Sequence, residues 1–508
     1  MKYSAINIGP ILKTFGLARK PREMWSASYL FSYLMKEIIS KLPQKDDIIS
    51  PETIDKIGLV NKSDGKPLGI GLYPDRLYVK GVIDFKTIQS ALDKVASKLK
   101  LDANYFNVML TSGDYNGDAD AIKGLNTKLD YMELFNVAPV ETATERVRNL
   151  IMKTYDSPLF IDALDDKEFP IDSLGEISAI WFKERYPKQW ENFKGAIRNK
   201  DSKIAEKAFG ILPQKELRSY HKYVCIVQAD GDNMGAAVTN SKLPEGEVKK
   251  ISTKLLKFGQ NAAKAIYDFG GMPIYAGGDD LLFIAPVIGK NDKSILWLLD
   301  YLNVESFKEV KEAIKTLGLT FEEGDKEGQQ IIPSLSFGVS VSYYKYPLYE
   351  AHEAAVNLLF NEAKHIDGKN AIVLDLRKHS GGTLGIRLSS NNGNLKTSFN
   401  KMIEASAADE SIISAVAHKI RENEGLLKLW ENAPDEKKDM RNKNFFINYI
   451  EYDPDKKEKN KSDQYKEAAL HLLNNLYKLE MKADKTVQTL YGMLRVAKFI
   501  KGEEVRYE

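Results

Sequence analysis

Hydrophobic and polar positions recur with different periods along the chain, and the changes of period mark its elements. Tyr3–Ile8 is an apolar run that reads as a strand, stopped by Gly9-Pro10. Trp25, Tyr29, Leu30, Tyr33 and Leu34 then fall at helical spacing and predict a helix over Pro21–Leu42. Short apolar runs broken by Gly and Pro between Leu59 and Val82 read as strands and turns, and Phe85–Leu99 as an amphipathic helix. These elements make a first α+β domain over residues 1–160. A helical rhythm over Ser173–Lys207, carried by Trp181, Phe182, Trp190, Phe193, Ile197 and Ala205, forms a connector assigned to residues 161–214.

The stretch after it is the most legible. Tyr223–Ala229 is a β-rich run ending at Asp230-Gly231-Asp232, and Val248–Phe269 is an amphipathic helix stopped by Gly270-Gly271. Met272–Ala276 and Leu281–Pro286 form a hairpin whose tip is Gly277-Gly278-Asp279-Asp280. Ser334–Ser342 alternates as a strand, Leu348–His365 reads as a helix closed by Gly368, and Ala371–Leu376 as a final strand. The order β-α-β-β-α-β predicts a ferredoxin-like α+β unit over 215–381, with the helix near Ile295–Leu317 as an insertion. From about Thr397 the pattern is helical, interrupted by the solvated run Asp453–Asp463, so 382–508 is assigned to a helical C-terminal domain.

The chemistry sits at the two acidic turns. A ferredoxin-like sheet brings the strand end at Asp230 and Asp232 beside the hairpin tip at Asp279 and Asp280. Four carboxylates so close repel one another unless a divalent cation neutralises them. Hard oxygen ligands suit Mg²⁺ or Mn²⁺, and two such ions bridge a triphosphate, activate a 3′-hydroxyl and stabilise leaving pyrophosphate. Gly277 and Gly278 lack Cβ atoms, which lets a nucleotide approach the backbone. Lys364, before the Gly368-Lys369-Asn370 turn, is placed to meet a phosphate as a point charge. The six histidines are scattered, none precedes an Asp, and neither HExxH nor a P-loop motif occurs.

Composition narrows the setting. A length of 508 residues implies several domains, and Lys+Arg 73 against Asp+Glu 71 leaves no global pull toward nucleic acid, so any such contact is local. The single cysteine, Cys225, sits within an apolar run, which excludes an internal disulfide and a four-cysteine zinc site. No secretory leader or bilayer-length apolar stretch is visible, so a cytoplasmic, membrane-free location is expected.

The GGDD hairpin with the later NEAKHIDGKNAIVL segment resembles the catalytic palm of GGDEF diguanylate cyclases. It is more similar still to the large polymerase/cyclase-like subunit of type III CRISPR effector complexes, the type III-B (Cmr) branch in particular. The segments that carry this resemblance are Ile8–Leu34, Phe169–Phe182, Val227–Gly235, Tyr275–Phe283 and Ser336–Leu348. The resemblance implies two palm domains, the first without GGDD, joined by the helical connector and followed by a helical domain that docks on small subunits. It implies a target-RNA-activated nucleotidyltransferase of antiviral defence that turns ATP into a second messenger, either a cyclic oligoadenylate or ATP joined to S-adenosylmethionine. Asp230, Gly231 (through its carbonyl) and Asp280 then hold metal, with Asp232 and Asp279 in support, Asp279 and Asp280 carry catalysis, and guide CRISPR RNA and target RNA are partners. Many relatives begin with an HD nuclease domain; here the first palm-like strand starts at the N-terminus, so that activity is not expected. The competing readings are a free-standing GGDEF-like cyclase and a catalytically silent scaffold.

Overall fold

A computed structural model describes residues 1–53, 69–135, 139–153, 173–379, 381–389, 393–406, 410–429, 435–453, 457, 459–477 and 483–502. Its first sheet is built from β1 (Lys2–Gly9), β2 (Ile48–Ser50), β3 (Arg76–Lys80) and β4 (Asn107–Asp114), with α1 (Pro21–Lys41) and α2 (Phe85–Leu99) as crossovers and α3 (Asp118–Glu133) after it. The spatial order β2-β3-β1-β4 with antiparallel neighbours is the ferredoxin-like arrangement. Most of α1 is buried, because α2 covers one side of it while α4 (Glu141–Met152) and β6 (Met272–Gly277) lie against others; α5 (Pro187–Ile197) is the longest helix of the connector among the described residues. The strands and turns expected between Leu59 and Val82 fall partly on residues 54–68, outside the described residues.

The second sheet contains β5 (Tyr223–Asp232), β6, β7 (Asp280–Pro286), β8 (Ser334–Tyr343), β9 (Ala371–Arg377) and β10 (Thr383–Ser389), in the order β10-β9-β8-β5-β7-β6. The core four, β8-β5-β7-β6, repeat the ferredoxin-like order, and this corrects one detail of the sequence reading. The helical segment after the hairpin, α7 (Ile295–Tyr301) and α8 (Lys308–Thr316) joined by a π-turn, is no insertion but the second crossover of the unit. What is added is α9 (Leu348–Phe360) with β9, which lies parallel to β8. β10 extends the sheet past residue 381, where helices alone were expected. Its sequence, TLGIRLS, is short and carries Gly and Arg, so it lacks the apolar run that betrays a central strand.

β5 and β8 are central and buried along most of both faces, which is why β5 reads as an apolar run up to its acidic end and the polar positions of β8 are mostly small serines. The helix α6 (Glu247–Phe269) packs Phe258, Ala262 and Ile266 inward and ends at Gly270. The helices α10 (Gly393–Ala405), α11 (Glu410–Glu422), α12 (Asp435–Tyr449), α13 (Lys461–Tyr477) and α14 (Ala483–Lys501) form a bundle continuous with this core, α14 lying against β10. Cys225 is a free, fully buried thiol whose pKa is pushed up by burial, the small core residue its surroundings imply. Among the described residues, no helix is long and apolar enough to cross a membrane.

Candidate active site

Register brings the two acidic turns together. The β5–β7 ladder runs to Ala229 opposite Leu281, so Asp230 emerges from β5 where Asp280 begins β7. Gly277 pairs with Asp280, leaving Gly278 and Asp279 as a two-residue turn, and Gly278 takes φ +66, a left-handed geometry that favours glycine. Asp279 folds over the backbone of Gly231, where an added Cβ would collide with the Asp279 carboxylate and lie 2.7 Å from Asp279 Cβ and Met234 Cγ. Gly231→Ala is therefore expected to push the hairpin tip off the strand end and lower turnover roughly 10- to 100-fold, with little change in circular dichroism. Wild-type kinetics in that variant would remove the requirement for close approach.

Asp232 is held differently from its neighbours. Side-chain alternation places it on one face of β5 with Asp230, opposite Ser334 and Ser336 of β8. Its fully buried carboxylate accepts from Ser334 Oγ (2.7 Å), Ser336 Oγ (2.9 and 2.8 Å), Lys364 Nζ (2.8 Å) and the Asn370 amide (2.9 Å). Asn370 is tied in turn to Asn303, whose Oδ1 accepts from the Leu335 amide. With its lone pairs engaged by these protein donors, Asp232 acts in this structure as an internal anchor of the strand end. Nothing in composition singled out Ser334, Ser336, Asn303 or Asn370; their spacing on β8 and after α9 has meaning only once the strands are in register.

Lys364 lies on a short turn after α9, rather than at its end as expected, and its ammonium reaches into the acidic pair. It donates to the carbonyls of Asp230 (2.9 Å) and Gly231 (2.8 Å) and pairs with Asp230 Oδ2 at 2.6 Å as well as with Asp232. Burial works against this ammonium, yet Asp230 and Asp232 more than offset it and hold its pKa above the ordinary lysine value.

The hairpin carboxylates experience the opposite field. Burial, then the charge of Asp230, pushes Asp279 up to about 6. Asp280 is raised further by burial and by Asp230, Asp279 and Asp75, and it shares a hydrogen bond with the Asp230 carboxylate. Asp75 comes from the first sheet, on the segment where Gly71 bridges to Tyr275 and accepts a bond from the Ala276 amide (2.9 Å). The first domain thus forms one wall of the site, a contribution no sequence signal announced.

A folded-state pKa above the unfolded value means extra protons bound when folded, so stability is greatest in acid and falls as pH rises through the window. For Asp279 that window runs from the ordinary aspartate value of 3.8 to about 6. The metal-free chain is expected to lose about 2–3 kcal/mol from this cluster between those limits. Mg²⁺ or Mn²⁺ is expected to raise the melting temperature at pH 7 more than at pH 5, as scanning calorimetry can test. Equal shifts at both pH values would exclude cation binding by these carboxylates.

The donor chemistry fits a divalent cation in one respect and departs from it in another. The Asp280 and Asp230 carboxyls lie within hydrogen-bonding reach of each other, where a divalent cation could engage both, and the Gly231 carbonyl is adjacent. Yet among the described residues no three His, Cys, Asp or Glu side chains stand in ligating geometry, because Asp232 is spent on protein donors and Lys364 occupies Asp230. His221 and His352 are buried and held neutral by burial, at about 3 and about 4, in keeping with structural roles.

Residues 223–373 match the model of the Cas10/Cmr2 second palm domain, and residues 3–97 that of the N-terminal region of CRISPR-associated protein Cmr2. The CRISPR system Cmr subunit Cmr2 of Pyrococcus furiosus is 30% identical over 229 residues, which are 39% of this chain and 24% of that protein. The chain thus matches under a quarter of that relative's length. An apo type III-B Cmr-beta structure aligns over 91% of this chain and 78% of its own at 12% identity and TM-score 0.55, and so shares the fold. Csm1 of T. onnurineus aligns over 99% of this chain and 70% of its own, at 11% identity and TM-score 0.47. With two ferredoxin-like sheets and a GGDD turn facing a DGD strand end, residues 223–373 are a palm domain of the Cas10/Cmr2 type, preceded by a region similar to the Cmr2 N-terminal region.

Proposed function

We propose that this chain is the nucleotidyltransferase subunit of a cytoplasmic type III CRISPR effector complex, making a nucleotide second messenger from ATP when target RNA pairs with the guide. The observation that carries this reading is the convergence of Asp230, Asp279 and Asp280 at one edge of β5 and β7, with Lys364 inserted among them. The naming of the Pyrococcus furiosus relative as a Cmr subunit supports the assembly.

In this mechanism Asp230 and Asp280 hold Mg²⁺ or Mn²⁺, with the Gly231 carbonyl in reach. The cations supply Lewis-acid activation of the 3′-hydroxyl and of the leaving pyrophosphate. Asp279 shapes the tip over Gly231, and Gly277 and Gly278 leave the turn open to the nucleotide. Asp232 holds Lys364 in place, where its ammonium would meet the phosphates of a nucleotide bound at the turn. The acceptor is a second ATP or S-adenosylmethionine.

The test is to assemble the chain with guide RNA and its partner subunits, add target RNA, Mg²⁺ or Mn²⁺ and labelled ATP, and resolve products by mass with and without S-adenosylmethionine. The proposal expects target-dependent pyrophosphate release and a new adenylate, both absent in an Asp279→Ala/Asp280→Ala double variant. No target-dependent ATP turnover with either acceptor would leave a silent scaffold as the better reading.

A further inference from the structure

The acidic site depends on where Lys364 is held, and the residue that holds its segment lies on the strand no sequence pattern revealed. Arg387 of β10 directs Nε (2.8 Å) and Nη2 (2.6 Å) to the Glu362 carboxylate and Nη1 (3.0 Å) to Asp375 of β9. Glu362 stands two residues before Lys364, on the turn between α9 and β9. One planar guanidinium thus ties the lysine's turn to the sheet, a fork that an ammonium cannot reproduce. Gly385, two residues before Arg387, makes room for it: a Cβ there would strike the guanidinium and lie 2.7 Å from Asp375 Oδ1.

β10 has a second neighbour. The helix α14 crosses it so closely that a Cβ on Gly492 would lie 2.5 Å from the Gly385 carbonyl oxygen. The C-terminal bundle therefore bears on the strand that carries Arg387, and through Glu362 on the lysine in the site.

We infer that Arg387 is a positioning residue for Lys364, acting through Glu362, and that β10 makes the placement of that lysine responsive to the C-terminal helical bundle. This rests on the proposed palm activity for its kinetic consequence, although not for the contact itself. The Arg387 guanidinium binds Glu362 and Asp375 rather than the acidic carboxylates of the turn, so its effect on the site passes through the segment that carries Lys364. Removing it loosens the turn by a fraction of a side-chain length, a displacement that costs roughly 10- to 100-fold in rate where a charged group must meet a phosphate.

Two measurements on the full chain test this. In the assembled complex, Arg387→Ala and Arg387→Lys are expected to lower kcat/KM for ATP roughly 10- to 100-fold. Arg387→Ala should add nothing in a Lys364→Ala background, because both changes remove one function. The exchange Arg387→Glu/Glu362→Arg should recover part of the loss. Independently of turnover, the reaction rate of Lys364 with an amine-directed acylating reagent, read by mass spectrometry, is expected to rise at least severalfold in Arg387→Ala, with Lys13 and Lys98 as internal controls. Unchanged Lys364 reactivity, or fully additive losses with Lys364→Ala, would overturn the inference. If the wild-type complex turns over no ATP while Lys364 reactivity still rises in the variant, the proposed function fails and the positioning role stands.

Discussion

Asp280→Asn is expected to lower nucleotidyl transfer about a thousandfold or more and, at the same time, to raise the melting temperature of the metal-free chain at pH 7. The two effects have one cause. Burial and the charges of Asp230, Asp279 and Asp75 hold Asp280 above the usual carboxylate range, so at neutral pH its ionised form is a destabilising element of the metal-free fold. The amide retains shape without charge and relieves that repulsion, but it is a poor ligand for a hard cation. A single substitution should therefore stabilise the protein by a few degrees, abolish the stabilisation that Mg²⁺ gives the wild type, and stop product formation. Melting curves with and without Mg²⁺, beside the ATP assay, read all three. Turnover within tenfold of the wild type would show that Asp280 does not hold the reacting assembly.

Asp232→Ala is expected to do the reverse, lowering stability by about 3–5 kcal/mol at pH 7 while also suppressing activity. Its carboxylate is buried and satisfies Ser334, Ser336, Lys364 and Asn370 at once. Its loss takes one of two carboxylate partners from the buried Lys364 ammonium, leaves the Ser334 and Ser336 hydroxyls without this acceptor, and removes the clamp that joins β5, β8 and the turn before β9. Asp232→Asn keeps part of the network and should lose about half as much. Chemical denaturation is the measurement, and a loss below about 1 kcal/mol in the alanine variant would show the network to be dispensable. Two aspartates of the facing acidic turns thus separate into opposite thermodynamic classes, which composition treats alike.

The sequence by itself determined a good deal of this protein. Central strands such as Tyr223–Asp232 must be apolar on both faces, so they read as uninterrupted runs, and the turn chemistry at Gly277-Gly278 must follow from backbone sterics. Both features are local, which is why the two acidic turns, their facing arrangement and the first ferredoxin-like unit were all legible. The solvated and small polar positions were not. Ser334, Ser336 and Asn370 are ordinary residues until strand register places them around Asp232, and Lys364 meets Asp230 across 134 positions of chain. The assignment of α7 and α8 as a crossover rather than an insertion depends on which strands are neighbours, and period alone cannot say that. Edge strand β10, with its glycine and its arginine, carries no apolar run because one face is turned toward Glu362 and Asp375. Local sterics and burial wrote the elements and the chemistry into the sequence; tertiary structure alone decided which carboxylate faces outward, which is buried as an anchor, and what holds the lysine between them, because those outcomes are set by contacts between residues far apart in the chain.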